Sequence, residues 1–312
     1  MKAIVIEQYG GKDQLIEKDV PEPEIKQDQV LVELHATSIN PIDWKLREGY
    51  LKEKLDFDFP IILGWDAAGV IKKTGSAVQN FNVGDRVFAR PETTRNGTYA
   101  EYVAVDEYLL SRLPESISFE EAAAVPLAGL TAWQCLVDFS DVSKGDHVLI
   151  HAGSGGVGHF AIQIAKAFGA TVSATASGKN KEWVEKLGVD RFINYKDEDF
   201  SEVLSDVDIV LDTMGGQIQE KSYEVLKEGG RMPSIVQPPN EDTASKHGVK
   251  AGFVWLEPDG DKLSKLADLM VEEKIKPVIG HQFDFNEVGL QEAHELSETH
   301  HAKGKIVIPI TS

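Results

Sequence analysis

Along residues 1–117 the apolar positions recur mainly with a period of two, as strands require. Lys2 to Glu7 is one short apolar run, and Val30, Val32 and Leu34 share a face of the next. Residues 61–72 form a third run that holds Gly64 and Gly69, so bends or close backbone approach are expected there. Residues 83–88 and 97–103 each read as a turn entering a strand. A compact, mostly antiparallel barrel or sandwich accommodates this segment. Near Ser118 the period lengthens. Ser118-Phe119-Glu120-Glu121 has the spacing of a capping box, and an alanine run follows. Strands are then expected at 147–152, 171–176, 192–195, 207–211, 230–236 and 250–256. Helices are expected at 157–168, 181–187, 200–204 and 217–226. That alternation predicts a parallel, doubly wound sheet. The tail reads as a helix (263–274), a strand (278–285), a helix (288–298) and a strand (305–310), and is expected to rejoin the first domain. The fold class is α/β, with domains at 1–117, 118–256 and 257–312.

One stretch carries recognisable chemistry. After the strand at 147–152 comes Gly153-Ser154-Gly155-Gly156-Val157-Gly158, a G-x-G-x-x-G, and then a helix closed by Gly169. In this context the first glycine allows a tight reversal and the second lets a pyrophosphate approach the main chain. The third lets helix and strand pack closely. Free N–H groups and the positive end of the helix dipole face the phosphates. A tight turn without ligand is the bland alternative.

Composition narrows the classes. The 312 residues carry 51 Asp and Glu against 32 Lys and Arg, a net charge of −19. Such a field disfavours nucleic acid and anionic membranes. The one cysteine, Cys135, permits no intramolecular disulfide and suits a reducing cytosol. No apolar run has spanning length, so a cytoplasmic location is expected.

The second strand of the sheet selects between nicotinamide cofactors. NAD-preferring proteins place an acid roughly 20 residues past the glycines, against the ribose 2′-hydroxyl. Here Ser177 lies 19 residues past Gly158, followed by Lys179 and Lys181, and no acid precedes Glu182. A hydroxyl and two lysines suit a 2′-phosphate, hence NADP(H). An ordinary polar turn is the alternative.

At this point the chain resembles the zinc-independent quinone oxidoreductase branch of the medium-chain dehydrogenase/reductase superfamily. The resemblance rests on an ordered set of pieces. These include Asn40-Pro41-Ile42-Asp43-Trp44-Lys45, Gly64-Trp65-Asp66-Ala67-Ala68-Gly69, Gly84-Asp85-Arg86-Val87 and Gly97-Thr98-Tyr99-Ala100-Glu101-Tyr102. Pro126 to Ala132, the glycine motif, Ile193-Asn194-Tyr195 and Lys303-Gly304-Lys305-Ile306-Val307 complete it. It implies a GroES-like, mostly antiparallel β catalytic domain, a Rossmann domain, an active site in the cleft, and a homodimer made through the Rossmann sheets. Zinc-dependent relatives carry cysteine where Asn40 stands and histidine where Trp65 stands. With one cysteine, a thiolate-built zinc site is excluded. His147 and His151 lie about 13 Å apart on a strand, and His300 and His301 read as surface residues.

Without metal, hydride transfer must rest on positioning and on hydrogen bonds to the developing oxyanion. The expected acceptor is a quinone or the β-carbon of an enone. By resemblance Asn40 lies near the nicotinamide, and Thr131 approaches the nicotinamide or its ribose. Their alternatives are a loop-closing Asn and a helix-internal hydroxyl. Tyr50 and Trp44 line a pocket or pack, with packing preferred for Trp44. Tyr195 flanks the adenosine phosphate or ends a strand. Phe253, Val254 and Trp255 close the last Rossmann strand and are read as core first, pocket second, with Trp255 carried as a cofactor contact. Asp43 and Lys45 are read as a structural ion pair. Of two Tyr-x-x-x-Lys strings, Tyr50–Lys54 and Tyr223–Lys227, the first precedes the glycine motif. A short-chain dehydrogenase carries that motif near its N-terminus with the tyrosine downstream, whereas a long segment precedes it here, so both strings are read as chance. The rival class is a non-enzymatic NADPH-binding protein of crystallin-like or regulatory kind.

Overall fold

The computed structural model describes residues 1–310. The chain divides into two compact units. The first comprises Met1–Ala128, Pro258–Val271 and the segment from Pro277 onward; the second comprises Gly129–Glu257 and Glu272–Lys276.

In the first unit the period-two runs become strands. They are β1 (Lys2–Ile6), β2 (Ile16–Asp19), β3 (Gln29–Ile39), β4 (Ile61–Ile62), β5 (Ala67–Thr74), β6 (Arg86–Ala89), β7 (Tyr102–Asp106) and β8 (Leu110–Arg112). Helix α1 (Pro41–Arg47) follows β3. Helix α2 (Phe119–Ala123) starts at the expected capping box, where Ser118 Oγ accepts from Glu121 N–H at 3.1 Å. Helix α2 packs on β3, β5 and β6, so this unit runs past residue 117. Helix α3 (Pro126–Trp133) crosses the boundary between units.

The run at 61–72 is not one strand. Leu63 to Asp66 separate β4 from β5, because Gly64 takes φ +81° and a Cβ there would lie 2.4 Å from the Tyr99 ring. Gly69 stays inside β5, where a Cβ would sit 1.9 Å from the Glu33 carbonyl oxygen. Its role is close backbone approach. Val30, Val32 and Leu34 lie in one core with Ile71, Val87 and Val103, as their alternation requires. Each such burial contributes about 1.5–3 kcal/mol.

The second unit is built on a six-stranded, all-parallel sheet. Its strands are β9 (His147–Ile150), β10 (Thr171–Ala176), β11 (Arg191–Asn194), β12 (Val207–Leu211), β13 (Leu226–Ser234) and β14 (Lys250–Phe253). Their order is β11-β10-β9-β12-β13-β14. That is the doubly wound arrangement, with the reversal of strand order beside β9. Helices α4 (Gly158–Ala167), α5 (Lys181–Glu185), α6 (Phe200–Val203), α7 (Gly216–Ser222) and α8 (Glu241–Lys246) connect the strands. Strand β9 ends at Ile150, two residues sooner than the apolar run suggested. His151 leaves the sheet to bond Thr175 and Ser222 side chains, and Ala152 takes φ +50°.

The tail supplies α9 (Gly260–Val271), β15 (Ile279–Gln282), α10 (Glu287–Glu298) and β16 (Lys305–Pro309). It completes a seven-stranded sheet in the first unit: β15-β16-β3-β5-β6-β8, with β7 also on β3. Among the described residues, only the β15–β16 pair in it is parallel.

Candidate dinucleotide-binding site

The glycine turn leaves β9 at the reversal of strand order, where open α/β sheets bind ligands. A Cβ on Gly158 would stand 2.3 Å from Ala152 O and 2.8 Å from Gly153 Cα, so α4 can press on the turn only as glycine. A Cβ on Gly153 would meet Ala174 Cβ at 2.9 Å. Gly155 is different, since its nearest contact would be Ala152 O at 3.3 Å, and its outer side is open. First and third glycines therefore serve packing, and the second leaves bare main chain. A diphosphate fits that cradle.

Buried polar groups hold the turn in shape. His151 is 1 % exposed, and burial pushes its pKa down to about 4. Ser222 Oγ donates to Ile218 O, so it accepts from His151 Nε2 at 3.0 Å. The ring's Nδ1 then accepts from Thr175 Oγ1 at 3.2 Å. Beyond β12, buried Asp212 accepts from Met214 N, Gly215 N, Gln219 Nε2 and Ser234 Oγ, fixing the loop beside the turn. Neither His151 nor Asp212 was singled out for this from sequence; a polar residue closing an apolar strand was the available signal.

At the end of β10 lies the second part of the site. Ser177 is buried and its Oγ lies 3.2 Å from Asn180 Nδ2, which also reaches Ser154 Oγ at 3.0 Å. The structure thus joins Ser154, on the glycine turn, to Ser177, on the second strand. Lys179 is exposed, and Lys181 is exposed with Glu185 at 3.9 Å. Tyr195 is 55 % exposed, and its N–H donates to Ala176 O at 3.3 Å, which sets it beside Ser177. Trp255 is not brought to this group. It follows β14, the far edge of the sheet, three strands from β9, about 14 Å at normal strand spacing. Phe253 and Trp255 are 37 % and 45 % exposed, so the reading of them as core is corrected. An edge strand at the sheet margin has only one neighbour to cover it.

In the first unit, Asn40 lies between β3 and α1 and is 2 % exposed. Its Nδ2 donates to Asp66 Oδ2 at 2.7 Å, and its Oδ1 accepts from Lys305 Nζ. Asp66 also accepts from Ser38 Oγ at 2.5 Å and from Leu127 N, in the first turn of α3, at 2.8 Å. Lys305 Nζ further donates to Ile39 O at 3.2 Å. Burial lowers the Lys305 pKa, and the nearby Asp66 and Asp43 carboxyls oppose that shift. The sequence reading named Asn40 and left Asp66 and Lys305 without roles. A lone lysine opening the apolar run Ile306-Val307-Ile308 was the signal.

Asp43 makes no ion pair with Lys45, contrary to the expectation. It is fully buried, accepts from Asn40 N at 2.7 Å and from Tyr99 OH at 2.8 Å, and leaves Oδ1 without a partner. Burial raises its pKa to about 7. Lys45 instead stands 5.7 Å from the Trp44 ring. Trp44 packs edge-on against Tyr50 and the exposed His300. Tyr50 is 70 % exposed; Thr131 is buried in α3.

The sheet order, the glycine turn at its reversal and the paired serines define a dinucleotide-binding α/β protein. Comparison with known proteins refines this. Residues 26–115 match the model described as alcohol dehydrogenase GroES-like domain, and residues 187–308 match zinc-binding dehydrogenase. The chain is 38 % identical to the NADPH-dependent alkenal/one oxidoreductase, chloroplastic, of Arabidopsis thaliana, over 99 % of this chain and 79 % of that protein. It aligns with the quinone oxidoreductase from Coxiella burnetii at TM-score 0.92 and 38 % identity, covering 100 % and 99 % of the two chains. With the Escherichia coli quinone oxidoreductase complexed with NADPH the TM-score is 0.89 at 28 % identity, covering 99 % and 100 %. The chain belongs to the medium-chain dehydrogenase/reductase superfamily, in its quinone oxidoreductase-like branch.

Proposed function

We propose that this protein is an NADPH-dependent reductase that delivers hydride to a quinone or to the β-carbon of an α,β-unsaturated carbonyl, without metal. The observation that carries the reading is the glycine cradle joined to Ser177, with no acid at the ribose position. Relatives named as alkenal/one and quinone oxidoreductases support the chemistry. They favour it over the non-enzymatic reading.

The nicotinamide supplies the hydride when bound. Gly153, Ser154, Gly155, Gly156, Val157 and Gly158 would hold the diphosphate. Ser177, Lys179, Lys181 and Tyr195 would surround the adenosine 2′-phosphate. Asn40, Tyr50 and Thr131 are the proposed catalytic positions. For Asn40 the support is geometric: Asp66 and Lys305 fix its amide, and one Nδ2–H remains to donate to a developing oxyanion. The family-model name mentions zinc. Among the described residues no group of three His, Cys, Asp or Glu could hold a metal ion, and Asn40 is already engaged.

NADPH oxidation over enals, enones, quinones and enoyl thioesters tests the reading. Turnover of at least one class is expected, with NADH the poorer donor. Tight NADPH binding without turnover across the panel would replace the enzyme by a binding protein. Elemental analysis is expected to find no stoichiometric zinc. A homodimer is supported by the unpaired edge of β14 with half-exposed Phe253 and Trp255, and light scattering measures it. No helix among the described residues is long and apolar enough to cross a membrane. A cytoplasmic location is proposed from the lone, buried cysteine; cell fractionation decides between it and the chloroplast of the Arabidopsis relative.

A further inference from the structure

Asn180 precedes the short helix α5, where an Asn side-chain oxygen normally caps a free main-chain N–H. Here it does not. Its Oδ1 instead faces Trp183 Nε1 at 3.3 Å. An indole nitrogen only donates, so the amide has one orientation, with Oδ1 toward Trp183 and Nδ2 toward the two serines. Both N–H groups of Nδ2 are then used, on Ser154 Oγ at 3.0 Å and Ser177 Oγ at 3.2 Å. Each serine oxygen is therefore an acceptor on its protein side. Neither hydroxyl proton has an acceptor among the described residues, so both protons are left for a ligand.

We infer that Asn180, oriented by Trp183, is a specificity-determining positioning residue: it sets Ser154 and Ser177 as outward donors and so selects phosphate oxygens at both places. A phosphate only accepts, and two outward O–H donors match it. A ribose 2′-hydroxyl can accept the same proton, but it is neutral and offers a single oxygen, whereas a phosphate presents several charged acceptor oxygens. The inference rests on the NADPH reading and adds residues that the hydroxyl-and-lysine pattern did not include. The acidic chain, at −19, makes oriented neutral donors useful where an anion must be held.

The test uses calorimetric binding of 2′,5′-ADP and 5′-AMP to the intact protein, alongside KM for NADPH and NADH. These probes differ in the 2′-phosphate and lack the nicotinamide. In Asn180→Asp the carboxylate accepts from both serines and turns their protons inward. Affinity for 2′,5′-ADP is expected to fall at least about tenfold, on the scale of a lost hydrogen bond to a charged group. Binding of 5′-AMP should fall less, because it loses the Ser154 donor alone while 2′,5′-ADP loses both. Trp183→Phe adds no charge and only frees the amide to flip. It should lower the 2′,5′-ADP preference several-fold, with kcat at saturating NADPH unchanged. In an Asn180→Ala background, Trp183→Phe should have no further effect on that preference. Equal losses for both probes would mean a merely structural role and overturn the inference, as would an unmoved preference in Trp183→Phe. If the wild type binds 2′,5′-ADP no better than 5′-AMP, the NADPH reading falls and takes the inference with it. If the wild type prefers it and the variants keep that preference, the inference alone fails.

Discussion

Asp43 has no exposed surface and one carboxyl oxygen with no donor, an environment that favours the neutral form. Its pKa rises from 3.8 to about 7 on folding. Between those values the folded chain keeps a proton that the unfolded chain has released. Stability from this group is complete below pH 3.8 and lost as pH rises toward 7. His294 behaves oppositely. Arg47 can only donate, so His294 Nδ1 accepts from it at 3.1 Å, and Nε2–H faces Tyr99 OH at 3.0 Å. Burial, with Arg47 adding to it, lowers that pKa to about 3, and stability is lost as pH falls below 6.5. In Asp43→Asn the decline of Tm between pH 4 and 7 should flatten while the acid limb persists; thermal melts across pH check this. Gly158→Ala places a methyl 2.3 Å from Ala152 O. A cost of about 1–3 kcal/mol and weaker NADPH binding are expected, measured by melting and by titration.

At the level of elements, Asp66 ties three segments: the end of β3 and its junction with α1 through Ser38 and Asn40, β16 through Lys305, and the first turn of α3 through Leu127. Asp66→Ala leaves the Lys305 ammonium buried without its countercharge. A loss of about 3–5 kcal/mol in urea unfolding is expected. The double variant Asp66→Ala, Lys305→Met should recover part of it, because the stranded charge is gone. The Ser118 box is a local device, and Ser118→Ala should cost about 1 kcal/mol by the same measurement. That box was legible from four consecutive residues. The π-helical turn Gln134–Phe139 that continues α3 was not. Gln134 bonds the main chain of Glu257 in both directions, at 2.6 and 3.1 Å, and no local pattern announces a partner 123 residues away.

For the whole molecule, the parallel sheet followed from alternating strands and helices, and its strand order places the glycine turn at the reversal. The turnover panel and light scattering act at this scale, since they read the intact protein. A catalytic chain should consume NADPH with at least one of the four acceptor classes. The proposed homodimer should dissociate more readily when Phe253 and Trp255 are replaced by Ser, with the secondary structure unchanged by circular dichroism.

The order of residues determined period, glycine spacing and the lack of an acid after β10, because these are properties of neighbours along the chain. It also gave the resemblance that anticipated Asn40. The tertiary structure decided which polar groups meet. Lys305 reaches Asn40 across 265 positions, and Asn180 joins Ser154 to Ser177. It also separated Trp255 from the turn and released Asp43 from Lys45. Hydrogen bonds act over about 3 Å, and a face-setting period fixes which side a residue occupies, not which distant side chain arrives there.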